Sequence, residues 1–432
     1  MTQTQPRTEP VAGVARAASP SPDAARPGVA GSLIRKVDLC RGLFAFLVVA
    51  AHAYDACWVA HPDQMAAMPW GVRHVLGFTL QAGFYWVMGF FVISGYCIQL
   101  SVGRLIESGR FPLGVYLAAR LTRIIPLYYA GLLFAVAVEA AVASDRPAFY
   151  PDGVDRVGFL AQLVFAQRWV RTFGSFAPSW TITNEMFYYL FFGALALCAA
   201  GRRSRPAWLG MGLCVGIAAA MQCLYATGSR GWLVLNVGLM FGLGINWFLG
   251  ALVAAHGKAM VGHRSARVAA AAWPAVFAAA LGLRGSGRCP EQVIFLVLGI
   301  AFALMLLRFT AVAEAEAASP GPRPERGGRS SAIAEVVGLA SYPTYLFHAP
   351  VLLLWAAAAR EWGLFADWRL TWAAMVGSGI GLGVALGWLA ERPIMAWRAG
   401  LLDRLKRRAS SSSSTLAIPA AALGVARRPE GA

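Results

Sequence analysis

Between Asp38 and Glu391 the chain alternates long apolar runs with short polar stretches, most of them basic. The hydrocarbon core of a bilayer is ~30 Å thick and takes a helix of about 20 apolar residues. By that measure the runs predict spanning helices at 39–59, 77–100, 124–143, 182–200, 207–226, 232–254, 268–284, 291–309, 333–357 and 369–390. The expected fold is all-α, a polytopic membrane helical bundle of about ten transmembrane helices with no soluble domain. The stretch Val157–Gln167 is apolar but too short to cross, and reads as a re-entrant or interfacial piece. Residues 1–35 are rich in Ala, Pro, Thr and Ser and read as a disordered basic tail without the apolar core of a signal peptide. Residues 36–395 are the expected membrane domain, and 396–432, basic and then Ser-rich, a second disordered tail.

Composition supports this reading. The 432 residues are 58% hydrophobic and 14% charged, with a mean hydropathy of +0.56, whereas soluble chains carry about 25% charged residues. A net charge of +17 would suit nucleic acid. The basic residues, however, stand in loops and tails between apolar runs, with no basic stripe of interleaved aromatics, so the expected partner is the lipid bilayer and not nucleic acid. With ten spans, roughly 28 of the 38 Lys and Arg fall on the side of the two tails. The positive-inside rule then sets both termini in the cytoplasm, facing an anionic inner leaflet. High Ala, Gly and Arg content fits a GC-rich bacterial genome, and so a bacterial inner membrane. The seven cysteines are scattered with no metal-ligand spacing, and no metal is expected.

The ionisable groups inside this apolar background carry the candidate chemistry, because each is costly to bury in a membrane. Arg41 and His52 lie eleven residues apart in the first run. At about 100° and 1.5 Å per residue they leave one helix face about 16 Å apart. Asp55, one turn further, is a possible partner for His52. Arg120 and Arg123 share a helix face at the cytoplasmic entry to the third span, where guanidinium forks suit a phosphorylated, anionic ligand. Taken alone, they are better explained by interfacial anchoring. His348 and Glu185 fall with His52 in the outer half of the bundle, a set suited to general-base work on a hydroxyl. Each also has a plain structural explanation: a histidine satisfied in a bundle, a carboxylate at a helix N-terminus.

In combination, the motifs resemble the acyltransferase-3 family of integral membrane acyltransferases, which includes bacterial O-acetyltransferases of surface polysaccharides. Asp38-Leu-Cys-Arg-Gly resembles the family's Asp-Gly-Leu-Arg-Gly, and Arg41 to His52 reproduces its Arg-to-His spacing. Phe90-Phe-Val-Ile-Ser-Gly-Tyr resembles Phe-Phe-x-x-Ser-Gly-Phe, and Arg120-Leu-Thr-Arg-Ile-Ile-Pro resembles Arg-x-x-Arg-Ile-x-Pro. Ser179-Trp-Thr-Ile-Thr-Asn-Glu, Ser341-Tyr-Pro-Thr-Tyr-Leu-Phe-His and Ala390-Glu-Arg-Pro resemble later motifs in the same order. The resemblance implies transfer of an acyl group, usually acetyl, from cytoplasmic acetyl-CoA or another acyl-CoA to a carbohydrate hydroxyl. It implies donor-binding roles for Arg41, Arg120 and Arg123, with Ser94 in support. His52 becomes the central catalytic histidine, with Glu185 and His348 beside it. It leaves open the acceptor, the acyl length and the oligomeric state. A small glycosylated metabolite is an alternative acceptor. A transporter or flippase of a lipid-linked saccharide is the alternative class, since intramembrane charges suit it too.

Overall fold

The computed structural model describes residues 27–107, 111–142, 153–319 and 329–415, and no strand occurs among them. The elements in order are α1 (Pro27–Ala60), α2 (Pro62–Ala67), α3 (Trp70–Leu80), α4 (Gly83–Glu107), α5 (Leu113–Ala141), α6 (Arg156–Leu163) and a 3₁₀ turn (Gly174–Ser179). Then come α7 (Trp180–Leu197), α8 (Arg205–Ala226), α9 (Trp232–Met260), α10 (Arg264–Ala271), α11 (Trp273–Ser286) and α12 (Glu291–Ala318). The chain ends in α13 (Arg329–Trp362), α14 (Trp368–Leu386), a π-helical turn (Gly387–Glu391) and α15 (Arg392–Thr415).

Among the described residues eight helices are long and apolar enough to cross a membrane. A ninth results if α10 and α11, bent by 42°, form one span. The chain is thus a multi-pass membrane protein of eight to nine candidate spans, where the hydrophobic runs suggested about ten. The difference lies in α7. Its first two turns carry Thr181, Thr183, Asn184 and Glu185, which make it too polar on average to count, although it is helical. The expected short piece at 157–167 contains the eight-residue α6. Of the tail expected from residue 396 onward, residues 396–415 belong to α15; residues 416–432, and 1–26 at the other end, lie outside the described residues. Arg120 and Arg123 sit within α5, which starts at Leu113, well before the run that marked the third span.

Without a hydrophobic force between helices in lipid, close packing and hydrogen bonds hold such a bundle together. Small residues set the closest crossings. A Cβ on Gly95 of α4 would stand 1.8 Å from the Trp247 carbonyl oxygen of α9, and one on Gly250 would stand 1.8 Å from the Val92 carbonyl oxygen. The two backbones therefore touch at both points. Around them Trp247, Tyr188, Phe91 and Phe192 are fully buried. The opposite surface is apolar as well: Leu133, Leu190 and Leu370 are more than half exposed, as lipid-facing side chains are.

Prolines interrupt α5 at Pro126 and α13 at Pro343 and Pro350. Outside the helices, Glu139 of α5 pins the 3₁₀ turn by accepting from the Ser175 backbone N–H. Gly174 is needed there twice over, since its φ is +40° and a Cβ would meet the Glu139 carboxylate.

Substitution separates these roles. Gly95→Ala should prevent the α4–α9 contact and cost more than the about 1–3 kcal/mol typical of overpacking. Gly242→Ala, on the same α9 with nothing within 4 Å of the added carbon, should leave stability unchanged. Thermal denaturation of the detergent-solubilised protein reads both; equal stability of the two variants would refute this account of the crossing.

Candidate active site

The most extensive helix pair in the bundle is that of α1 and α13, and it too crosses closely. A Cβ on Gly42 would stand 2.7 Å from the Val337 carbonyl oxygen, and one on Gly338 would stand 2.8 Å from the Asp38 side chain. Further along, the same crossing brings His52 of α1 edge to edge with His348 of α13. Their ring centroids are 5.1 Å apart with planes 7° from parallel. His52 Nδ1 and His348 Nε2 are 2.9 Å apart, and His348 Nδ1 lies 2.8 Å from the Tyr345 carbonyl oxygen.

This geometry assigns the protons of the neutral rings. A carbonyl oxygen only accepts, so His348 Nδ1 carries its N–H and donates to Tyr345. His348 Nε2 then has a lone pair and accepts from His52 Nδ1–H. His52 Nε2 is left with a lone pair of its own. A Cβ on Gly83 would stand 3.9 Å from that nitrogen, so it faces the start of α4. His348 is fully buried, while His52 is half-buried.

Two cavities lie along α1. One, of about 370 Å³, is lined by Arg41, Arg120, Arg123, Arg398, Ser94 and Glu185. The arginines differ in what already holds them. Arg123 is in contact with the carboxylate of Glu391, which is fully buried on the π-helical turn. Its guanidinium also lies 5.5 Å above the Tyr342 ring. Arg41 has Asp38 at 3.7 Å. Arg120 donates to Ser101 Oγ at 3.2 Å, but its buried Nε has no partner. Arg398 donates twice to the Ala119 carbonyl oxygen. Ser94 Oγ accepts from the Trp247 indole at 3.2 Å, and Glu185 accepts from the Tyr189 hydroxyl at 3.0 Å.

The second cavity, of about 470 Å³, is lined by His52, Gly83, Arg168, Arg171, Gln167 and Trp180, among others. Val87 and Tyr345 line both cavities. The Tyr345 hydroxyl is fixed in that wall, 2.8 Å from both the Pro178 carbonyl oxygen and Thr181 Oγ1.

The structure groups the site residues differently from the depth argument. His52 and His348 meet, but Glu185, expected beside them, stands on the wall of the arginine cavity. Asp55, the other possible partner of His52, accepts from Gln81 instead. Arg41, Arg120, Arg123 and Ser94 share one cavity. Arg398 falls in the stretch expected to be a tail; its spacing of seven residues from Glu391, which returns to one helix face, is the sequence signal that marks it. Tyr345 carried no charge to attract notice.

In this membrane bundle two largely apolar cavities, each reached by charged side chains, share wall residues beside a histidine pair. A family model described as an acyltransferase domain, that of acyltransferase-3, matches residues 34–391. The chain belongs to this family and is a membrane acyltransferase. That membership decides against the transporter reading. Searches of curated proteins and of solved structures returned no match.

The buried Arg123–Glu391 pair makes a stability prediction. Removing one partner strands a buried charge, typically at about 3–5 kcal/mol, whereas an apolar replacement of both is often neutral. Glu391→Leu should therefore lower the melting temperature sharply, and Arg123→Met combined with Glu391→Leu should recover much of the loss. A double variant no more stable than the single one would show that the pair is not the source.

Proposed function

We propose that this acyltransferase moves an acyl group, acetyl by family resemblance, from cytoplasmic acyl-CoA to a carbohydrate hydroxyl. The acceptor on this reading is a surface or exported polysaccharide or its lipid-linked precursor, in a bacterial inner membrane with both termini cytoplasmic. One observation carries the proposal: an arginine-lined cavity and a histidine-lined cavity share a wall at Val87 and Tyr345.

The donor side follows from charge. Arg41, Arg120 and Arg398 offer N–H groups to the phosphates of CoA, while Arg123 is held mainly by Glu391. Small-molecule sites run from about 300 to 1,000 Å³. A cavity of about 370 Å³ suits the pantetheine arm and its thioester, with the nucleotide at the mouth. Glu185 and Ser94 face that arm in this scheme. Glu185 is thus a donor-side group and not the partner of the base.

The chemical step uses the free lone pair of His52. Nε2 takes the proton of the acceptor hydroxyl as its oxygen attacks the thioester carbonyl carbon. The new C–O bond forms, the tetrahedral intermediate collapses, and the C–S bond breaks. The departing thiolate takes the proton back from His52. Between these events the imidazolium charge is shared through Nδ1–H with His348, whose ring is held by the Tyr345 carbonyl.

His52→Ala should lower transfer by about 10²–10⁴-fold with acyl-CoA binding unchanged. His348→Leu should cost roughly tenfold or more, and His348→Gln, whose amide oxygen still accepts from His52, less. Arg120→Ala and Arg398→Ala should each raise KM for acyl-CoA roughly tenfold. Mass spectrometry of base-labile acyl groups on surface glycans, with thiol release by the purified protein, measures these effects. Full transfer by His52→Ala protein would end this mechanism.

A further inference from the structure

The cavity beside His52 has its own chemistry. Two arginines, Arg168 and Arg171, line it, and among the described residues no carboxylate does. Arg171 is already paired with Asp155, whose carboxylate also caps α6 by accepting from the Gly158 N–H at 2.6 Å. Arg168 is different. Among the described residues it has no ion-pair partner, and its Nε is buried with no hydrogen-bond partner. The guanidinium is held in place 5.1 Å over the Trp180 ring, and that indole stacks on Phe84 at 5.2 Å. Burial pulls the proton affinity of Arg168 below that of an ordinary guanidinium, with no carboxylate to restore it.

The neighbouring residue adds a second unmet group. Gln167 is fully buried; its amide N–H donates to the Ser179 carbonyl, and its amide oxygen has no partner. A flat indole, an unpaired acceptor and an unpaired cation therefore line one cavity with the candidate base. The amide oxygen suits a sugar hydroxyl and the guanidinium suits an oxyanion, while the indole, with Arg168 5.1 Å from its ring and Phe84 stacked at 5.2 Å, orients the cation. A half-buried cation whose Nε is shielded and unpartnered loses solvation, and an anionic ligand offsets that loss.

We propose that the cavity formed by His52, Gln167, Arg168 and Trp180 binds an anionic saccharide, so that the acceptor carries a carboxylate or phosphate close to the hydroxyl that is acylated. This rests on the reading of His52 as the base for acyl transfer to a carbohydrate. Binding measured without turnover keeps the two separable.

The full chain in lipid nanodiscs is titrated with three probes: a glucuronate-containing tetrasaccharide, glucose 1-phosphate and neutral cellotetraose. Ligand-observed NMR and calorimetry read the affinities for wild type, Arg168→Gln, Arg171→Gln and His52→Ala. At least one anionic probe should bind roughly tenfold or more tighter than the neutral one. The stronger of the two identifies whether the oxyanion is a sugar carboxylate or a phosphate. Arg168→Gln should abolish that preference while binding acyl-CoA as wild type does, which shows that the variant is folded. His52→Ala should keep the preference, and Arg171→Gln should reduce it less than Arg168→Gln. Equal binding of neutral and anionic probes by wild type, no binding of any probe, or an intact preference in Arg168→Gln would each overturn the proposal. An intact anion preference together with full transfer by His52→Ala protein would overturn only the assignment of the base.

Discussion

Gly42 of α1 lies so near α13 that a single added carbon would stand 2.7 Å from the Val337 carbonyl oxygen. At that separation side chains further along the two helices have to interlock, and His52 and His348 meet there edge to edge with nearly parallel planes. The hydrogen bond between them leaves the imidazoles little choice of proton. A backbone carbonyl at one end accepts only, so each ring passes its N–H in the same direction and the free lone pair emerges on His52 Nε2. A glycine contact between two helices thus determines which nitrogen faces the second cavity.

The low dielectric around this pair imposes a wider constraint. A charge inside the bundle is costly unless paired or held by hydrogen bonds, and Arg123 and Glu139 are so held, by Glu391 and by the Ser175 N–H. Among the described residues the Nε atoms of Arg120, Arg168 and Arg203 have no partner. Arg203 still pairs with Glu107 and donates to the Ala254 carbonyl, whereas Arg120 and Arg168 each line a cavity without an ion-pair partner among those residues.

Much of this was legible in the sequence. Helical class and approximate span positions followed from apolar run length alone, because lipid demands it. The stripe from Arg41 to His52 followed from helical pitch. Lateral packing was not legible, since depth along a helix says nothing about which neighbour it faces; that is why Glu185 was grouped with the histidines and not with the arginines. The pairing of His52 with His348 depends on small residues at 42 and 338, which look like any other glycines in a run. α7 misled in the opposite direction, since an 18-residue helix with polar first turns passes for a span by length but not by hydropathy.

Tyr345 ties the two cavities to the base through different atoms. Its ring forms part of the wall common to both, held by the Pro178 carbonyl and Thr181. Its carbonyl, on the helix backbone, holds His348. The ring also packs against Phe90 and against His348. One buried residue thus holds the wall between the cavities and, through its backbone, the tautomer of the histidine pair.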